Sequence, residues 1–147
     1  MSIVKIPFAV VAVFLWIGFV CAISFMEAWL KFRAPGITLP LGLGIGRLVF
    51  NALNKVEWVL AISLCVALFL SGEPVFKASS LAFLLPLALL ILQTVWLLPV
   101  LDARAALQMD GVPLPSSRLH VCYVGMEVAK VLSLFVFGIS LFKSPAI

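Results

Sequence analysis

Residues 81–101, LAFLLPLALLILQTVWLLPVL, contain no charged side chain and only two polar ones, Gln93 and Thr94. A helix needs about 20 mostly apolar residues to cross a hydrocarbon core of about 30 Å, and this stretch meets that length. Three more stretches approach it. The expected spans are about residues 6–29, 47–70, 81–104 and 119–142. The expected fold is therefore all-α: one transmembrane domain forming an integral membrane four-helix bundle, antiparallel, up-down-up-down. Composition agrees, with 65% hydrophobic and 11% charged residues. A soluble domain has about 45–50% apolar and about 25% charged residues, so this chain carries more apolar surface than a water-soluble fold can hide.

The second span is the reluctant one. Its uninterrupted apolar part, residues 58–70, is too short to cross. To span, it must extend back through Glu57, Lys55, Asn54 and Asn51 to about Arg47. The segment before it, KFRAPGITLPLGLGIGR, reads as a long Gly/Pro loop. Its GLGIGR lacks the spacing of a nucleotide-binding loop and reads as flexible packing. DARAALQMDGVPLPSSR predicts that helix three runs on for a turn or two before a break at 111–115. Pro86 and Pro99 predict kinks. Lys5 and the small residues near Ala22 also occur in signal peptides. The apolar stretch is too long for that, and Lys31 and Arg33 follow it like a stop-transfer flank.

Lys and Arg in short loops set orientation. The two ends and the middle loop hold Lys5, Lys77 and Lys143, whereas the first and third loops hold Lys31, Arg33, Arg47, Arg104 and Arg118. The first and third loops are expected in the cytoplasm and both termini outside it, in a bacterial inner membrane. The net charge of +4 includes no basic run suited to nucleic acid. The expected partners are the lipid bilayer and either further copies of the chain or a larger membrane complex. Cys21, Cys65 and Cys122 form no CxxC and read as small buried packers.

In this topology the polar residues gather in the cytoplasmic half. Helix one carries Cys21, Ser24, Glu27 and Lys31 on one face; helix two carries Arg47, Asn51, Asn54 and Glu57. Helix three adds Gln93, then Asp102 and Arg104 at its end, and helix four carries His120, Tyr123, Glu127 and Lys130. At about 1.5 Å per residue, Glu57, Gln93 and Glu127 lie at matching depth, roughly 10–15 Å inside the boundary. A charge at the bilayer centre costs about 2.5–3.5 kcal/mol on insertion scales, so these residues are expected to turn inward and pair. Glu127 is the expected centre, with Lys130 as counter-charge. Glu57 and Glu27 are the expected partners for Lys130, Arg47 or Lys55. No Glu-x-x-His pair of the di-iron type exists, and His120 is the sole histidine. No metal, cofactor or catalytic residue is assigned.

FLWIGFVCAISF, GIGRLVFNALNKVEW, WLLPVLDAR and SSRLHVCYVGMEVAKVL together resemble a broad family of small four-helix membrane proteins. Its eukaryotic branch is associated with resistance to platinum drugs. Gly18, Gly46, Phe50, Pro99 and His120 carry the resemblance. Glu27, Tyr123, Glu127 and Lys130 depart from the family pattern. The resemblance implies the four-helix fold and supplies no catalytic residues. The expected function is the handling or passage of a small solute or ion, with toxic-compound resistance as one form of it. A second reading is an accessory or scaffold subunit of a larger membrane complex. A third is a membrane-embedded metal- or cofactor-binding enzyme using His120, Glu127 and Glu57.

Overall fold

A computed structural model describes residues 3–4, 6–72 and 78–143. Lys5 and Lys77, used above for orientation, lie outside the described residues. Among the described residues, four helices are long and apolar enough to cross a membrane. These are α1 (Pro7–Arg33), α2 (Leu39–Leu70), α3 and α4 (Leu119–Ser140). α3 is one continuous rod made of Ala78–Leu92, Gln93–Leu97 and Leu98–Met109. A two-residue antiparallel pair, β1 (Ile3–Val4) with β2 (Phe142–Lys143), joins the two ends.

One stripe per helix faces the interior. α1 buries Ala9, Val13, Trp16, Val20 and Ser24; α2 buries Leu53, Glu57, Ala61 and Leu64. α3 buries Phe83, Leu90, Gln93 and Leu97; α4 buries Tyr123, Glu127, Lys130, Leu134 and Phe137. Steps of three, four and seven put each set on one helix face. Ser24, Glu57, Gln93, Glu127 and Lys130 thus continue the stripes that carry Val20, Leu53, Leu90, Tyr123 and Leu134. The outward faces are apolar: Phe69 is 80% exposed and Val95 74%. That is the reverse of what a face in water favours.

α2 begins at Leu39, two turns earlier than the expected start near Arg47. Thr38 caps it by accepting the Leu41 N–H on Oγ1 at 3.4 Å, and Pro40 fits the first turn. GLGIGR is therefore helical and is not a flexible loop. Gly42 and Gly46 sit one turn apart, and a Cβ at either would press on Phe32 or Lys31 of α1. Their small size admits the close approach of α1 to α2. α4 also ends earlier than expected, because Phe142 belongs to β2. Cys65 and Cys122 are exposed, contrary to the expectation of burial, while Cys21 is half-buried. Cysteine is buried in soluble proteins because it is apolar, and an apolar outer face removes that pressure.

Two turns are widened to π geometry, at Cys21–Glu27 in α1 and at Gln93–Leu97 in α3. In α3 the cause is Pro99, which has no N–H to give the Val95 carbonyl. Pro86 sits inside an unbroken α-helix. α1 has no proline in its widened turn.

Gly138 marks where α4 meets α1. A Cβ there would lie 3.0 Å from Val13 Cγ1 and 3.2 Å from Phe14 Cζ. Gly138→Leu is expected to cost about 1–3 kcal/mol by overpacking. Thermal unfolding in detergent reads this directly, and an unchanged midpoint would show that the two helices part freely there.

Candidate functional site

Lys130 has no exposed surface. Its ammonium carries three N–H groups, and each finds an acceptor. Nζ donates to Glu57 Oε2 at 2.5 Å, to Gln93 Oε1 at 2.5 Å and to Glu127 Oε1 at 2.7 Å. Those partners come from α2, α3 and α4 respectively. Gln93 Nε2 donates to Glu127 Oε1 at 2.6 Å, which orients the amide with its oxygen toward the ammonium. α1 completes the shell. Ser24 Oγ donates to Glu127 Oε2 at 2.9 Å, and Trp16 Nε1 donates to Glu57 Oε2 at 3.1 Å. Desolvating such charges is costly unless the geometry is good and the remaining lone pairs are satisfied. Among the described residues, no fully buried side-chain nitrogen or oxygen lacks a partner.

The two widened turns position this shell. Ser24 lies in the π segment of α1 and Gln93 in that of α3, and both donate to Glu127. π turns inside α-helices frequently mark functional sites. A clamp adjoins the shell: Thr94 Oγ1 accepts from Asn54 Nδ2 and from Trp58 Nε1, each at 2.9 Å, and donates to the Leu90 carbonyl. It pins α2 to α3.

A cavity of about 360 Å³ lies where α1 ends, α2 starts, α3 ends and α4 starts. Phe32, Arg47, Asp102, Arg104, His120 and Tyr123 are among its lining residues. Arg47 grips Asp102 with two parallel bonds, Nε to Oδ1 at 2.7 Å and Nη2 to Oδ2 at 2.8 Å. Arg104 Nη2 donates to the Pro115 carbonyl. Tyr123 is 4% exposed and meets Phe50 edge-on, with ring centroids 5.3 Å apart. Tyr123 lines the cavity and stands one turn before Glu127 on α4, so it lies between the cavity and the buried network.

The expected residues fall into three groups. Glu57, Gln93, Tyr123, Glu127 and Lys130 meet in or at the buried network. Arg47, Asn51 and His120 line the cavity. Asn54 belongs to the Thr94 clamp. Glu27 stands apart: it pairs with Lys31 at 3.1 Å, one turn along its own helix, and not with Lys130. Arg47 is likewise taken by Asp102, and Lys55 is exposed. Asn51 does not turn inward to the network; it donates to the Arg47 carbonyl, one turn back. The hub is Lys130, which touches three helices, with Glu127 beside it. Trp16 and Thr94 were outside the expected set, Asp102 was expected at the end of helix three but not as the partner of Arg47, and Ser24 was placed on the face without a role. Their signal was spacing: Trp16 and Ser24 fall on the buried stripe of α1, Thr94 adjoins Gln93, and Asp102 lies near the end of α3. Among the described residues, no group of three His, Cys, Asp or Glu side chains is placed to hold a metal ion.

Comparison of the chain with protein-family models, curated proteins and solved structures finds no match.

Proposed function

We propose that the chain is an integral membrane protein that handles or passes a small solute or ion, received in the end cavity above the Lys130 network. The observation that carries this reading is the pairing of the two features. All four helices line a cavity of about 360 Å³, within the range of small-molecule sites of about 300–1,000 Å³. Its floor residue, Tyr123, stands one turn of α4 from Glu127, which is fully buried with Lys130. Ionisable residues inside a membrane bundle are functional-site candidates by default. Resistance to a toxic compound is one form such handling takes. The helices cross as an antiparallel up-down-up-down bundle, and a bundle this small works as a homo-oligomer or within a larger complex.

In this reading the cavity opens to the cytoplasm and both termini lie outside, in keeping with five basic residues at the first and third loops against three at the two ends and the middle loop. In a variant without native cysteines, single cysteines at Ala34 and Ser116 are expected to resist an impermeant thiol reagent in intact cells. Single cysteines at Ser2 and Ser79 are expected to react. The reverse pattern would turn the cavity outward.

Flux into liposomes containing this protein alone tests the function. Asp102→Asn frees Arg47 at the cavity wall and is expected to change the flux. The side chains of Arg47 and Asp102 are 35% and 36% exposed, and pairs this open are worth about 0.2–1 kcal/mol. The unfolding midpoint should therefore barely move. A second reading, the accessory or scaffold subunit, is favoured by hydrogen bonds that tie the network to all four helices, which also suit interhelical glue. It predicts no flux from the protein alone and a stable complex with a different subunit.

A further inference from the structure

The buried network does not balance its charge. Glu57 and Glu127 bring two carboxyls and Lys130 brings one ammonium, with side chains 0–2% exposed. The other groups that bond these three are neutral: Trp16 and Ser24 from α1 and Gln93 from α3. Tyr123, one turn before Glu127 on α4 and part of the cavity lining, is also neutral. The neighbouring charges are committed elsewhere. Glu27 holds Lys31, Arg47 holds Asp102, and Lys55 is exposed. With all three groups ionised, the site would carry one net negative charge. An uncompensated ion in a protein interior costs several kcal/mol even after relaxation, and buried groups so placed neutralise instead.

The hydrogen bonds show where compensation fits. Both oxygens of Glu127 are engaged, Oε1 by Lys130 and Gln93 and Oε2 by Ser24. Glu57 Oε2 accepts from Lys130 and Trp16. Glu57 Oε1 accepts from no described residue. An alkali cation would need a shell of several oxygens, and one free oxygen does not provide it. A proton needs only one.

We propose that Glu57 and Glu127 together hold one proton at neutral pH and exchange it with the end cavity by way of Tyr123. This goes beyond solute handling, because it assigns the buried network a chemical cargo of its own. The proton has two resting places. On Glu57 it leaves Lys130 paired with Glu127; on Glu127 it leaves Lys130 paired with Glu57. The ammonium already bonds both carboxyls, so the ion pair changes partner without a side chain crossing the bundle. Entry is a relay. The Tyr123 hydroxyl passes its proton inward to Glu127, and water in the cavity restores it. One O–H bond forms for each that breaks, and the net event is one proton moved.

Infrared spectroscopy of the full chain in lipid vesicles at neutral pH tests this. Ordinary carboxyls have values near 4, so those in water are ionised there and give no protonated-carboxyl band. The wild type is expected to show one such band. Glu57→Gln and Glu127→Gln are each expected to remove it, because either leaves one carboxyl for one ammonium. Tyr123→Phe should keep the band and slow its hydrogen–deuterium exchange by about 100-fold, the scale of a lost proton-transfer partner. The wild-type band and the Tyr123→Phe rate decide the matter even if a Glu variant fails to fold. A wild type without the band overturns the proposal. If its unfolding midpoint then rises with sodium, an alkali cation takes the proton's place. Unchanged exchange in Tyr123→Phe overturns the route.

Discussion

Lys130→Met is expected to destabilise the folded protein by about 3–5 kcal/mol, the cost of removing one partner from a buried ion pair. Methionine matches the length of the lysine stem and packs well in irregular interiors, so lost volume is not the source. The source is three hydrogen bonds to three acceptors on three helices. Without the ammonium, Glu57 and Glu127 face each other with no positive charge between them, and the Gln93 oxygen loses its donor. Leu134→Met, one turn further along the same buried stripe, is the control, since volume-conserving swaps usually cost less than about 1.5 kcal/mol. Thermal or denaturant unfolding in detergent separates the two variants. Equal midpoints would show that the ammonium does not hold the helices together.

Much of this site was legible in the sequence because depth can be counted. Glu57, Gln93, Glu127 and Lys130 each stand a fixed number of residues from a helix end, and a constant rise per residue turns that count into a level. The cost of a charge on an apolar outer face then turns the charges inward. Partner choice was not legible in the same way. Glu27 and Lys31 sit one helical turn apart, and that local pairing took Glu27 from the network. Arg47 found Asp102 on another helix, a contact set by how α2 and α3 cross, which no count along one helix supplies. The start of α2 was misread because Gly and Pro usually punctuate loops. Here Pro40 sits in a first turn where its missing N–H costs nothing, and Gly42 and Gly46 admit α1. The widened turns left the faintest trace. Pro99 accounts for one, but nothing local to Cys21–Glu27 accounts for the other.

The shared ammonium makes the two carboxyls interchangeable in charge, and that gives a non-additive prediction. Glu57→Gln alone leaves Lys130 with Glu127; Glu127→Gln alone leaves it with Glu57. Either single change is expected to cost about 1–3 kcal/mol, the scale of a disturbed buried hydrogen bond. Glu127→Gln should be the worse of the two, because Glu127 accepts from Lys130, Gln93 and Ser24 while Glu57 accepts from Lys130 and Trp16. The double variant removes every carboxylate and leaves the ammonium of Lys130 buried without a counter-charge. Its cost should exceed the sum of the singles by about 1–3 kcal/mol, within the coupling energies seen for residues in one network. Adding Lys130→Met to the double variant removes the stranded charge and should recover most of that excess. Unfolding midpoints of the four variants measure the coupling. A double variant whose cost equals the sum of its parts would mean that the two carboxyls do not share one ammonium. The alternating ion pair, and the proton it accommodates, would then lose their physical basis.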